Sequence, residues 1–325
     1  MTGSTRTSLA TALLLGTVVL ALTGCAGDAG PVLASRDALG TVVAVTVYPA
    51  SDSAADLDAV QAAIDDAYAA MADAEADLST HDPDSAIGRI NATGDPNAPL
   101  PARAEQILDA ICVLDAREYY SPFLLGATEA WGFEAGGTVP STAELEAALA
   151  DTRYDFGGAS KGLAIDEAAE ELRADRGVAA ALIASGSTTL AFGEKPDGEP
   201  WRIGIEDPRD PDALIASVEA RGDLTVSTSG DYQRYFEAGG VRYHHILDPA
   251  TGMPATGIRS LTVIGDIPGL YSDILSTALF VAGPDAAVAY AEKYTLGLVI
   301  VDDEGRTHIV PGPEDRSWEI AEATP

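Results

Sequence analysis

Two hard oxygen donors stand four residues apart towards the C-terminal end of the chain. Asp273 and Thr277 lie in a segment of helical periodicity, so a carboxylate and a hydroxyl share one face. Such a pair suits Mg²⁺ or Ca²⁺, and Mg²⁺ when a phosphate completes the shell. The same spacing also fits an acid near a helix N-terminus and a threonine that bonds back within the helix. A second stretch, Tyr154 to Asp166 (YDFGGASKGLAID), reads as a short strand, a glycine turn and the start of a helix. Gly157 and Gly158 let the backbone pass close to a ligand, since no Cβ intervenes. Ser160 is a candidate cap for that helix, whose free N–H groups attract anions, phosphates among them. Lys161 adds a positive charge; a purely structural turn fits the same residues. His244 and His245 precede the rigid Asp248-Pro249 turn, where an imidazole is either a general base or a packed side chain. Asp231-Tyr232 either holds a ligand or caps a following helix. Trp131 either stacks on a flat ring system or fills a core. The sequence has no GxxxxGK[ST], GxSxG or HExxH, and Asp155-Phe156-Gly157 has no accompanying HRD, which argues against a P-loop, a hydrolase elbow, a zinc site and a kinase.

These groups need a scaffold. Gly40 to Tyr48 alternates as a strand does. Ser53 to Leu78 reads as a long helix, with Leu57, Val60, Ile64, Ala67, Met71 and Leu78 near a 3.6 period and a capping box at Ser53 and Asp56. A polar loop is expected from Ser79 to Asn91, a helix from Pro101 to Glu118, an irregular glycine-rich stretch from Ser121 to Thr138 and a short helix from Ser141 to Ala150. Strands are expected at 180–184, 188–192, 201–205, 216–219, 225–228 and 259–264. Between the last two, residues 229–257 read as a short helix, then a strand and a Pro/Gly-rich loop. Helices at 273–281 and 285–294 and strands at 296–301 and 307–310 complete the chain. Strand often follows strand, which favours α+β, a single mixed α/β domain, over a doubly wound parallel sheet. Residues 37–320 show no repeat or linker and read as one domain.

The 325 residues are 46% apolar, and 19 Lys+Arg against 51 Asp+Glu give a net charge of −32. Such a chain repels nucleic acid and anionic lipid. An anionic ligand needs locally arranged donors or a metal. Arg6, the apolar run Leu9–Leu22 and Leu22-Thr23-Gly24-Cys25 read as a cleaved lipoprotein signal peptide over residues 1–24, with Cys25 lipidated and residues 25–36 a tether. An ordinary secretory signal is the alternative. The lipoprotein reading places the protein on the extracytoplasmic face of the cell membrane, held by the lipid on Cys25. The remaining cysteine, Cys112, lies among Ile107, Leu108 and Ile111 on a helical pattern, which predicts a buried, inert thiol.

Taken in order, LGT at 39–41, LSTHDPDS at 78–85, WGF at 131–133, DFGGASKGLAID at 155–166, DP at 207–208, STSGDYQRYF at 227–236, HILDPATGMP at 245–254 and SDILSTALFVAG at 272–283 resemble the ApbE family of FAD:protein FMN transferases. The resemblance covers nearly all of the chain after residue 36. It implies a T-fold-like domain in an exported lipoprotein. FAD is then the substrate, bound with Mg²⁺ at its pyrophosphate. A threonine hydroxyl of a target flavoprotein attacks the phosphorus of the FMN half, and AMP leaves. Carried over, metal ligation falls to the backbone carbonyl of Ser160 and the side chains of Asp273 and Thr277, and the base is His245. Flavin and adenine contacts fall to Leu39, His81, the Ala130–Trp131 segment, Gly157, Lys161 and Ile246. Leu39 stands where Met is common, His81 where Tyr is common and Ser160 where Ala is common. Two other activities share these residues: an FAD pyrophosphatase with water as acceptor, and a non-enzymatic FAD-binding lipoprotein.

Overall fold

The computed structural model describes residues 30–95 and 97–323. The expected signal peptide, Cys25 and the first part of the tether lie outside them. Strands β1 (Val32–Ala38) and β2 (Thr41–Pro49) pair from Val32↔Val47 to Ala38↔Thr41. Their turn sets Leu39 at φ 56° and Gly40 at φ 67°, the left-handed pair that a two-residue hairpin requires. Leu39 adopts it against the preference of a side chain with a Cβ. The tether expected to reach residue 36 is therefore sheet from Val32 onward. VLASRDA hides its alternation because its inward residues are small or polar and only half-buried.

Helix α1 (Ala54–Leu78) lies over β2 and buries Val60, Ile64, Ala67 and Met71 against Val43, Val45 and Val47. The Ser53 hydroxyl accepts the Asp56 N–H, but the Asp56 carboxylate takes the Ser51 hydroxyl, so only half of the expected capping box forms. Helices α2 (Ala86–Thr93), α3 (Ala102–Val113), α4 (Leu125–Trp131) and α5 (Thr142–Ala148) follow. α2 begins inside the expected loop and runs two residues past it, started by Ser85 accepting the Gly88 N–H, and α4 sits inside the stretch expected to be irregular. The strand expected at Tyr154 does not form. The Asn91 side chain instead takes both backbone groups of Tyr154, each at 2.8 Å, as a neighbouring strand would.

After α6 (Ser160–Ala174) come β3 (Val178–Ala184), β4 (Thr188–Phe192), β5 (Trp201–Asp207), β6 (Asp210–Ala220) and β7 (Leu224–Gly230). The helix expected after Gly230 is instead a hairpin, β8 (Tyr235–Ala238) and β9 (Val241–His244). The chain ends with β10 (Ile258–Gly265), α7 (Gly269–Ala282), α8 (Pro284–Tyr294), β11 (Gly297–Asp302), β12 (Thr307–Val310) and β13 (Trp318–Glu322). Eight strands make one antiparallel sheet in the order β1-β2-β3-β4-β7-β10-β11-β12, and β13-β6-β5 make a second. Helices α1, α6, α7 and α8 cover one face of the large sheet. The small sheet covers the other, with Trp201, Ile203, Val218 and Trp318 against Leu224, Val226, Ile264 and Val299. The α+β expectation holds. Among the described residues no helix is long and apolar enough to cross a membrane.

Strand β7 breaks the apolar rule on one side. Leu224 and Val226 face the small sheet, while Thr225, Ser227 and Ser229 alternate with them and point towards the helices. Hydroxyls buried between a sheet and a helix are unfavourable unless paired, so this row marks a place where the fold serves something other than packing.

Candidate active site

Helices α6 and α7 cross beside that row, and glycine sets how closely. A Cβ added at Gly162 would stand 2.2 Å from the Gly269 carbonyl oxygen and 2.8 Å from the Asp273 Cβ. The contact lets the Gly162 N–H donate to Asp273 Oδ2 at 3.0 Å. One turn earlier, a Cβ at Gly158 would meet the Tyr120 hydroxyl at 3.3 Å and Thr277 Oγ1 at 3.4 Å. Ser160 lies between these two contacts, so its position in the chain places it at the junction with Asp273 and Thr277. Ser160 is not a cap: α6 starts on it, and the cap position is Ala159 with no side-chain bond. The glycine contact predicts its own test. Gly162→Ala must push the helices apart, an overpacking that typically costs about 1–3 kcal/mol, and a thermal melt should show the drop.

Asp166 closes the crossing from the other side. Its carboxylate accepts the N–H groups of Gly269 at 2.6 Å and Leu270 at 2.9 Å, satisfying the open start of α7. Burial pushes its pKa up to about 6, opposed by those two N–H groups and assisted by Glu170 and Asp273. Because the folded-state value lies above the ordinary 3.8, Asp166 stabilises fully below about pH 4 and loses that contribution as the pH rises through about 6. In paired melts, the stability of Asp166→Asn relative to the parent should therefore improve from pH 4 to pH 6.5 and then level off. A pH-independent difference would show that the carboxyl is not raised.

Asp273 is 5% exposed, and burial raises its pKa, opposed by Lys161, the Gly162 N–H and the Thr188 hydroxyl. Thr188 Oγ1 reaches Asp273 Oδ1 at 3.4 Å and accepts from Ser227 at 3.2 Å. Ser229 contacts Ser276 at 3.0 Å and Thr277 at 3.2 Å. The hydroxyl that bonds back to the Asp273 carbonyl is that of Ser276, not Thr277. Among the described residues no three His, Cys, Asp or Glu side chains gather into a metal cluster. A cation here would be held by one carboxylate, a hydroxyl and a carbonyl, with phosphate oxygens completing its shell. That donor set is hard and low in charge, as Mg²⁺ with a phosphorylated ligand requires.

The two histidines part company. His244 is buried edge-on to Phe280; its Nε2 donates to the Ala255 carbonyl at 2.9 Å and its Nδ1 accepts the Ile246 N–H. Both nitrogens are spent, and the ring is structural. His245 is half-buried, and its Nδ1 faces the Arg234 carbonyl at 3.3 Å. A carbonyl has no proton to give, so Nδ1 carries the hydrogen and Nε2 keeps the lone pair. Burial first, then Arg234, His244 and Lys161, push the His245 pKa down to about 3. The imidazole is therefore neutral, and able to accept a proton, throughout the physiological range.

Other expected contacts take different forms. Lys161 Nζ lies over the glycine turn and donates to the Gly157 carbonyl at 3.2 Å, and Gly157 is exposed. Leu39 stands at the β1–β2 turn, packed on the core shared by α1 and α6. His81 is exposed between α1 and α2. Trp131 is fully buried, donates to the Gly252 carbonyl at 2.7 Å and stacks on Phe133 and Tyr243. Its ring is core, so any ligand contact of the Ala130–Trp131 segment falls to half-buried Ala130 and the backbone. Ile246 is likewise core, 5% exposed. Cys112 is exposed, with the Arg117 guanidinium 2.6 Å from its sulfur, contrary to the buried thiol expected. It follows Ile111 by one residue and so turns about 100° away from the buried face.

Asp166, Thr188 and the Arg234 carbonyl were not legible as site residues. The period-2 run Thr225, Ser227, Ser229 was the one available signal for the polar floor.

Comparison with known proteins shows which family the chain resembles. The model of the ApbE family matches residues 39–300. The chain is 30% identical to the FAD:protein FMN transferase of Vibrio cholerae, over 88% of this chain and 92% of the relative. It is 30% identical to that of Haemophilus influenzae, over 73% and 78%. Among solved structures, the ApbE protein of Thermotoga maritima superposes with a TM-score of 0.73 at 30% identity, covering 86% of this chain and 96% of that one. The flavinyl transferase ApbE of Pseudomonas stutzeri, in its apo form, gives 0.70 at 29% identity, covering 90% and 94%.

Proposed function

Because the chain belongs to the ApbE family, we propose that it is an FAD:protein FMN transferase that moves the FMN half of FAD onto a threonine hydroxyl of target flavoproteins and releases AMP. The observation that carries the chemistry is the α6–α7 junction. It places a buried carboxylate, a threonine hydroxyl and the start of a glycine-bounded helix together in a chain of net charge −32.

Asp273, Thr277 and the Ser160 carbonyl are the residues that would hold Mg²⁺. When bound, Mg²⁺ would neutralise charge on the diphosphate of FAD. The N–H groups at the start of α6 and the Lys161 ammonium favour the same anion. His245 Nε2 takes the threonine proton as the new O–P bond forms, because an alcohol is a poor nucleophile near neutral pH without a positioned base. The P–O bond to AMP then breaks. The hydroxyls of Thr188 and Ser227 orient Asp273. Export and anchoring through a lipid on Cys25 rest on Arg6, the apolar run Leu9–Leu22 and the Leu22–Cys25 sequence. They place the target flavoproteins on the extracytoplasmic side of the membrane.

The test is incubation with FAD, Mg²⁺ and a flavoprotein carrying the acceptor threonine, followed by a denaturing gel viewed for flavin fluorescence. A fluorescent acceptor band is expected. Free FMN and AMP with an unlabelled acceptor would mean water is the acceptor instead. Retained, unreacted FAD would mean the protein only binds it.

A further inference from the structure

Resting on the reading of His245 as the base, we propose that Asp231 is a positioning residue for the transfer step: it anchors the turn whose Arg234 carbonyl orients the His245 ring. Asp231 is 7% exposed and joins three parts of the fold. Arg209, from the β5–β6 turn, grips its carboxylate with both terminal nitrogens, at 2.7 and 2.6 Å. Arg242 of β9 stands 3.7 Å away, and the Asp231 N–H donates to the Arg259 carbonyl of β10 at 2.9 Å. Three residues on, the Arg234 carbonyl accepts the His245 N–H at 3.1 Å and faces its Nδ1.

The hairpin between them has strands of only four residues and does not join the large sheet. A two-stranded hairpin is marginal alone, so its placement depends on what grips it. On one face, Phe236 and Tyr243 pack on Trp131 and Phe133. On the other, Arg242 lies over the Tyr235 ring at 4.0 Å, pairs with Glu237 at 3.2 Å and faces Asp231. The aromatic face sets how deep the hairpin sits. The charged face sets its register against the turn at 231–234, and with it the direction of the His245 lone pair. A buried ion pair is a weak source of stability compared with apolar packing, whereas a two-pronged Arg–carboxylate grip fixes geometry.

Asp231→Asn keeps the shape and removes the charge. Arg209→Met removes the grip from the other end, at a side chain 36% exposed, and carries the test should Asp231→Asn fold poorly. Each is made in the parental chain and with His245→Ala, and read as kcat for FMN transfer and KM for FAD. In the parental chain kcat should fall by roughly 10- to 10²-fold, the scale of an ångström-level misplacement, with KM for FAD within about twofold, since uniform FAD binding is untouched. With His245→Ala the same changes should cost less than about twofold, because the group they position is gone. Parental kcat in a folded Asp231→Asn, or equal losses with and without His245, overturns the inference alone. A parental chain that labels no acceptor overturns the functional reading and the inference with it.

Discussion

Asp273→Ala is expected to lower FMN transfer by at least about 10²-fold while leaving the fold intact. Losing a hydrogen-bond partner of a metal ligand already costs roughly 10- to 100-fold in metal affinity, and Asp273 is the one carboxylate the proposed cation site offers. Its effect on folding has the opposite sense. Burial holds the Asp273 carboxyl in a state that disfavours its charge, with the Lys161 ammonium, one N–H and one long hydroxyl contact as partial compensation. Replacing it with a methyl group removes that penalty. The variant should therefore melt at or above the parental temperature without Mg²⁺. The parent should gain stability when FAD and Mg²⁺ are added together, as any ligand selective for the native state provides, and the variant should not. A variant that melts well below the parent without metal would make Asp273 a structural residue.

His245→Ala should slow transfer by roughly 10²- to 10⁴-fold, the usual span for a lost general base, or about 3–5 kcal/mol of barrier. FAD binding should persist, because the residues proposed to hold the diphosphate at the α6–α7 junction are untouched. The pH profile separates a base from a mere contact. An unperturbed imidazole would impose an acid limb near pH 6.5, whereas His245 is pushed down to about 3 by burial, Arg234, His244 and Lys161. The parental rate should show no loss through pH 6.5 attributable to this ring. Parental transfer by the His245→Ala protein would remove it from the mechanism.

Long periodic elements were legible, as were regular short strands such as Thr188–Phe192 and Thr307–Val310, whereas β1, α2, α4, β8 and β13 were not. α1 announced itself through Val60, Ile64, Ala67 and Met71, all of which are buried. The short helix expected at the start of residues 229–257 gives way to β8, although Tyr232, Tyr235 and Phe236 fall at helical spacing. The decisive residues were Gly239 and Gly240, at φ 60° and 81°, which make the tight turn between β8 and β9. α2 was hidden because its start depends on Ser85 and its neighbourhood is polar. For the site, residue type was legible in Asp273, Thr277, Lys161 and His245, but proximity was not. Nothing in local pattern says that Gly162 touches Gly269 across more than a hundred residues, or that Asp166 caps a helix other than its own. Local pattern also left His244 and His245 equivalent. Only the Ala255 and Arg234 carbonyls decide which ring keeps a free nitrogen.

At the α6–α7 junction one phosphorus of FAD is expected to pass from AMP to a threonine oxygen. Mass spectrometry of an acceptor flavoprotein, treated with the chain, FAD and Mg²⁺ and then digested, reads this directly. A single threonine-containing peptide heavier by FMN less one water is expected, with AMP released in equal amount, and neither product from the Asp273→Ala protein. An unmodified threonine peptide alongside consumed FAD, or equal labelling by Asp273→Ala, would contradict it.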